Sequence, residues 1–454
     1  MMKRLVCLVS GLLMVMPGCS SDDEGSSPAV PDAGTDAVVS SDAGGTSDVA
    51  IATDTGSTQS DTTTGISDVA GADTQEPTPD TPTGDTPADV HRALLASLAD
   101  QVIIKTYNDF VDATEALVTA TAAYAASPEA SGQEEARAAY HAAMDIWQRA
   151  EVLQVGPAGS MTSALGGQDL RDEIYSWPSV NSCRVDQEVV EQAYTDAAVF
   201  GEELTNVRGL DALEYLLFPP ESGNGCKASS SINKNGSWDE VVQSGELEAR
   251  RATYAATLAT LLAGEAKDLR DLWTQGAAQF SDELGNAGDG SETYPTAQDG
   301  LNAVSDAMFY VEKITKDMKL AMPAGVSGCE EDTCPDDLES QHGKRSAQNV
   351  EQNLIALQAL FLGSYDGAAQ APGFDELLID IGAEALAQDM TDKIAAAIEV
   401  AANVSGTYAE LLASDAQKVV DVHAAVKAFT DLLKTEFVST LDLALPKSAA
   451  GDND

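Results

Sequence analysis

The chain has 454 residues, with 74 acidic against 25 basic side chains and a formal net charge of −49. That balance excludes nucleic acid as a partner, and it excludes docking on anionic lipid head groups by charge alone. A length of this order allows two or three domains.

The N-terminus reads as an export signal. Lys3 and Arg4 form a short positive region, Leu5 to Met16 is an apolar run too short to cross a bilayer, and Met16-Pro17-Gly18-Cys19 follows. This tetrapeptide resembles a lipobox, although Met16 and Pro17 stand where Leu and Ala or Ser are usual. The resemblance implies a signal peptide over residues 1–18, cleavage before Cys19 and a diacylated cysteine there. Ser20 rather than Asp after the cysteine favours the outer membrane, and places the protein in the cell envelope, facing the periplasm or the surface. An ordinary secretory signal with an incidental cysteine is the alternative.

Residues 19–89 are rich in Asp, Thr, Ser, Gly, Ala and Pro, and from 20 to 90 there is no Lys, Arg or aromatic residue. Such a stretch buries too little apolar surface to order itself, and its fifteen acidic residues repel one another. It reads as a tether between a lipid anchor and a folded body. With those fifteen charges and the two cations of the signal set aside, the body still carries −36 of the −49 and attracts cations.

Beyond the tether the chain is Ala- and Leu-rich with helical periodicity. Helices are predicted over about 90–126, 129–154, 187–218, 246–283, 296–321, 346–362, 373–403 and 415–443, with breaks at Pro128, Gly156-Pro157, Pro219-Pro220, 285–290, 323–335, 363–372 and Gly406. No stretch alternates as a strand does. The expectation is an all-α body, most simply two antiparallel helical bundles packed side by side, a first half over 90–235 and a second over 236–447. One long bundle with irregular insertions is the competing architecture.

Besides Cys19, the exported chain has Cys183, Cys226, Cys329 and Cys334. An even number in an exported protein suggests two disulfides. Cys329 and Cys334 bound a short loop that could close on itself, which would leave Cys183 to pair with Cys226. A four-cysteine zinc site is the alternative, without the short paired spacings such sites use.

Chemistry concentrates in Gly209-Leu210-Asp211-Ala212-Leu213-Glu214-Tyr215-Leu216-Leu217-Phe218. On a helix, Asp211 and Glu214 share one face about a turn apart, beside an apolar stripe of Leu210, Leu213 and Leu217. Carboxylates there are costly to bury without compensation from a metal ion, an arginine or a hydrogen-bond network. Two further stretches stand out: Trp147-Gln148-Arg149-Ala150-Glu151 with Gly156-Pro157, and Ser346-Ala347-Gln348-Asn349 through Asn353 and Leu362-Gly363. With Ile174-Tyr175-Ser176-Trp177-Pro178, they resemble the imelysin-like family of exported helical proteins, over roughly residues 90–445.

The resemblance implies two helical bundles related by approximate internal symmetry, with the motif near their junction. It also implies one of two activities, since some family members are described as metallopeptidases and others belong to iron-uptake or iron-regulated systems. The family pattern Gly-x-His-x-x-Glu is met by Gly209 and Glu214, but Asp211 stands in place of the histidine. An oxygen-only pair suits iron, calcium or manganese rather than zinc. The four histidines, His91, His141, His342 and His423, show no i, i+3 or i+4 pairing to replace it. A conventional zinc peptidase is therefore disfavoured.

Glu151 is the best additional oxygen ligand, and Arg208 and Arg149 are cations that could hold an anion or neutralise the carboxylates instead. Ser346 sits at a helix start, where an N-cap explains it more simply than a nucleophile, and His342 reads as exposed in a polar loop. The expected function is binding of a metal ion or metal-bearing ligand, related to iron uptake and without catalysis, with iron-uptake or envelope proteins as partners. A metallopeptidase is one alternative. A structural or protein-binding lipoprotein, in which Asp211 and Glu214 belong to a buried polar network closed by an arginine, is the other.

Overall fold

A computed structural model describes residues 86–220, 223–276, 279–366, 371–446 and 449. The signal sequence, Cys19 and nearly all of the tether lie outside the described residues. Among those described the structure is helical without a strand, and no helix is long and apolar enough to cross a membrane.

The first helix, α1 (Pro87–Leu98), begins three residues before the expected helix start at 90. Pro87 fits because the first helical N–H is unpaired in any case, and the Thr86 hydroxyl accepts from the Asp89 N–H to cap the turn. A π-helical turn over Ala99–Ile103 leads into α2 (Ile104–Ala126), and α3 (Ala130–Val152) returns after Pro128. The expected helix over 187–218 is not continuous. It is α4 (Ser182–Glu191), a series of short turns, and α5 (Gly209–Leu217). Gln192 is left-handed at φ 60° and ends α4, while the Asp196 side chain caps a separate turn at Ala197–Phe200.

The second half supplies α6 (Leu247–Thr274), α7 (Ala297–Tyr310) running on as a π-helical segment Val311–Ala321, α8 (Ser346–Leu362), α9 (Glu384–Ala402) and α10 (Gln417–Leu432). Helix α8 matches its expected bounds. Val350, Leu354, Leu357 and Phe361 repeat at helical spacing on its buried side, and Gly363 ends it at φ 63°.

The helices pack in two sets. In one, α2 lies between α3 and α6, and α5 packs against α6 and α3; in the other, α8, α9, α10 and the π-helical segment pack on one another in sequence. The sets meet where α3 packs along α8. Aromatic residues fill the first set: Phe110 lies 5.1 Å from Trp147 and Tyr107 6.1 Å from Trp273, centroid to centroid.

Both expected disulfides are present, Cys183–Cys226 and Cys329–Cys334. They span 43 and 5 residues, so the first removes far more freedom from the unfolded chain. Replacing Cys183 and Cys226 together by serine is expected to lower stability by about 2–4 kcal/mol in urea unfolding. The Cys329→Ser/Cys334→Ser variant is expected to lose clearly less, and equal losses would contradict this.

Candidate binding cavity

Helix α5 places the motif. Gly209 opens it at φ +78°, and a Cβ there would lie 2.7 Å from the Ile174 carbonyl oxygen. Glycine is thus required both by the backbone angle and by the close approach of the Ile174–Pro178 loop. As the spacing predicts, Asp211 and Glu214 share a turn of the helix, and both are buried.

Their compensation comes from uncharged donors. The Ser176 hydroxyl donates to Asp211 Oδ2 at 2.8 Å, and the Ala212 N–H lies 3.3 Å from Oδ1. Glu214 is more fully held: Tyr140 Oη and Ser340 Oγ donate to Oε2 at 3.1 and 2.8 Å, and the N–H groups of His342 and Gly343 donate to Oε1 at 3.1 and 3.0 Å. Burial raises both carboxyls above the ordinary range against these hydrogen bonds, Asp211 to about 7.

The Asp211 shift gives a signed expectation. The folded carboxyl keeps its proton to about pH 7, whereas the unfolded one loses it near 3.8. Between these values the folded state binds more protons, so this residue's contribution to stability falls as pH rises. Asp211→Asn keeps an acceptor for Ser176 and removes the ionisation. It is expected to be more stable than wild type above pH 7, by a few kcal/mol, and indistinguishable below about pH 4. Equal pH profiles for the two proteins in thermal unfolding would refute the assignment.

Asp211 and Glu214 open onto a cavity of about 510 Å³. Its walls are the Tyr175–Pro178 loop, α5 through Tyr215, the π-helical segment through Met318 and Met322, and residues 336–342 of the loop before α8. The residue between Glu339 and Gln341, Ser340, and the backbone at 342–343 fasten that loop to Glu214, so the carboxylate joins α5 to the second helix set.

Behind the cavity lies a buried ionic cluster. Lys319 Nζ reaches Glu151 Oε2 at 3.1 Å, Glu339 Oε1 at 2.9 Å, Gln148 Oε1 at 2.7 Å and Asn353 Oδ1 at 3.1 Å. Arg171 takes the other oxygen of Glu151 at 2.5 Å, and Tyr175 Oη donates to Glu339 at 3.0 Å. Burial pushes Glu151 upward, but Lys319 and Arg171 outweigh it and hold the carboxyl low. Glu339, with one cation and Glu151 near, stays raised by its burial.

The other residues singled out by the sequence are placed as follows. Glu151 does not line the cavity with Asp211 and Glu214; its two oxygens pair with Arg171 and Lys319. Among the described residues no three His, Cys, Asp or Glu side chains form a group able to hold a metal ion. A resident ion, whether iron, calcium or manganese, does not fit these donors: Glu214 already accepts four hydrogen bonds. Arg208 pairs with Glu173 at 2.7 Å and Arg149 donates to Gln352 at 2.6 Å; neither lines the cavity.

Ser346 is not the cap of α8, since Arg345 holds that place; its buried hydroxyl accepts from the Ser340 N–H at 3.3 Å. His342 is half-buried at the cavity wall, edge-on to Tyr215 with centroids 4.9 Å apart. Trp177 lines the cavity, and Trp147 is core. Lys319 and Glu339 were not singled out by the sequence. The one available signal was a lysine at 319, four residues after Thr315 and three after Lys316, in a chain poor in cations.

Comparison with known proteins agrees with this arrangement. The imelysin family model matches residues 103–435, most of the chain. The chain belongs to the imelysin family. It is similar to iron-regulated protein A of Synechococcus elongatus, 22% identical over 357 residues that cover 78% of this chain and 87% of that protein. Two crystal structures share the fold. One is described as an iron-regulated protein A precursor of Parabacteroides distasonis, with a TM-score of 0.59, 15% identity, and 78% of this chain and 97% of that one covered. The other is an imelysin-like protein of Psychrobacter arcticum, with a TM-score of 0.58, 15% identity, and 79% and 98% covered. Asp211 and Glu214, within the matched stretch, both line the cavity.

Proposed function

We propose that this imelysin-family chain is an exported, lipid-anchored binding protein that takes up a metal-bearing ligand in the Asp211–Glu214 cavity and does not hydrolyse peptides. The observation that carries the reading is that both motif carboxylates open onto a cavity large enough for a small molecule while being held by hydroxyl and amide donors. A closed remnant would instead pair Asp211 directly with an arginine. The iron-regulated names of the relatives support iron as the metal carried. Asp211 and Glu214 meet the ligand; Glu151 and Lys319 brace the wall behind Glu339.

The peptidase reading is weaker because the motif lacks its nitrogen ligand, and Glu214, spread over four donors, is poorly placed to act as a base. Two assays on the full chain separate the readings. Iron retained after desalting from an iron chelate is expected to be stoichiometric in wild type and lost in Asp211→Ala. Unfolded protein substrates are expected to stay intact with or without a chelator. Chelator-sensitive cleavage abolished by Glu214→Gln would restore the peptidase.

A further inference from the structure

The cavity walls carry information about the ligand that the family motif does not. Asp211 and Glu214 lie at the buried end, and Asp336 and Asp337 are exposed at the rim. No lysine or arginine lines the cavity among the described residues. Glu339 in the wall is balanced by Lys319, whereas Asp211 and Glu214 are held by uncharged donors and not by an ion pair. The lining also includes Tyr175, Trp177, Tyr215, Met318 and Met322, beside the polar Gln341 and His342. The indole of Trp177 already accepts one cation, the Lys319 ammonium, 5.7 Å from its centroid.

We infer that the cavity takes a cationic ligand with an organic, apolar or aromatic frame, and rejects both an anionic chelate and a bare ion. The inference rests on the proposed binding function and adds the charge sign and frame of the ligand. The buried and exposed acids of the lining attract a positive centre, and the rings and thioethers cover a frame that water solvates poorly. An anionic chelate would meet acidic side chains, Asp211, Glu214, Asp336 and Asp337, with no lysine or arginine in the lining to receive it. A bare ion would have to displace the donors that saturate Glu214, and with its water shell it would contact little of an apolar wall. The same chemistry describes a positively charged metal chelate and a metal-free organic ammonium; the test separates them.

Isothermal titration of the full-length protein uses four probes: tetraammine(bipyridine)cobalt(III), benzyltrimethylammonium, ferric EDTA and manganese(II). The cobalt chelate is expected to bind at least about ten-fold more tightly than ferric EDTA or manganese(II). Asp336→Asn/Asp337→Asn, at exposed rim positions that leave the fold intact, and Trp177→Ala are each expected to weaken it by about three- to ten-fold. Benzyltrimethylammonium binding while the cobalt chelate does not would keep this inference and remove the metal from the proposed function. Ferric EDTA or manganese(II) binding as tightly as the cobalt chelate would overturn the inference and leave the binding function standing. Binding untouched by the rim and Trp177 variants would place it outside the cavity and overturn the inference. No binding by any probe would overturn both.

Discussion

Replacing Lys319 by methionine is expected to destabilise the protein by about 3–5 kcal/mol, measured by urea unfolding at neutral pH. The loss does not come from surrendering a strong attraction. Lys319 is fully buried and is the cation for two buried carboxylates, Glu151 and Glu339, so its removal leaves Glu339 without a counter-charge. The oxygens of Gln148 and Asn353 lose the same donor. Glu151 keeps Arg171 and is the less affected of the pair. The variant should therefore recover stability as pH falls and Glu339 is protonated, and combining Lys319→Met with Glu339→Gln should return part of the loss. A loss below about 1 kcal/mol, with no rescue, would show that the cluster does not hold the two helix sets together.

Glu214→Ala is expected to cost about 3 kcal/mol and to free the loop before α8. The substitution leaves Tyr140, Ser340 and the N–H groups of His342 and Gly343 without their common acceptor, and buried donors without partners carry their full desolvation cost. Part of that cost is relieved because the cavity admits water to the vacated place. The distinguishing sign is local: limited proteolysis should cut near residues 336–345 in the variant well before wild type, because this loop is fastened to α5 through that carboxylate. Unchanged cleavage there, even with lower global stability, would contradict the latch.

These two variants mark where sequence reading succeeds and where it stops. Periodicity places α8 to the residue because an uninterrupted apolar stripe ends at a glycine that adopts a left-handed conformation. The i, i+3 spacing places Asp211 and Glu214 on one face because that relation is local. The cysteine spacings point to the two disulfides that form.

What answers the carboxylates is not local. Glu214 meets residues more than 120 positions further along the chain, and Glu151 meets Lys319 at a separation of 168. No spacing rule links such pairs. That is why the sequence does not show that Glu151 pairs with Lys319 and Arg171. The supposed helix over 187–218 failed for a related reason. Its composition is helical, but Gln192 turns left-handed and ends the first part, and Gly209 must turn at positive φ to pass the Ile174 carbonyl, a contact that exists only in the folded molecule.

The Asp211 substitution also acquires a physical meaning in this setting. Histidine at this place would bring a nitrogen donor to the cavity; aspartate brings a buried carboxyl that holds its proton to about pH 7. Binding that uses the Asp211 carboxyl is therefore expected to vary with pH around 7, and the Asp211→Asn variant is expected to remove that dependence.

The most direct test of binding in this cavity is an anomalous difference map at the iron absorption edge, from crystals of the protein grown with an iron chelate. The account predicts one peak inside the cavity, between α5 and the Trp177 loop, and its loss in Asp211→Ala. A peak confined to surface carboxylates, or one at Glu151 in place of Lys319, would contradict it.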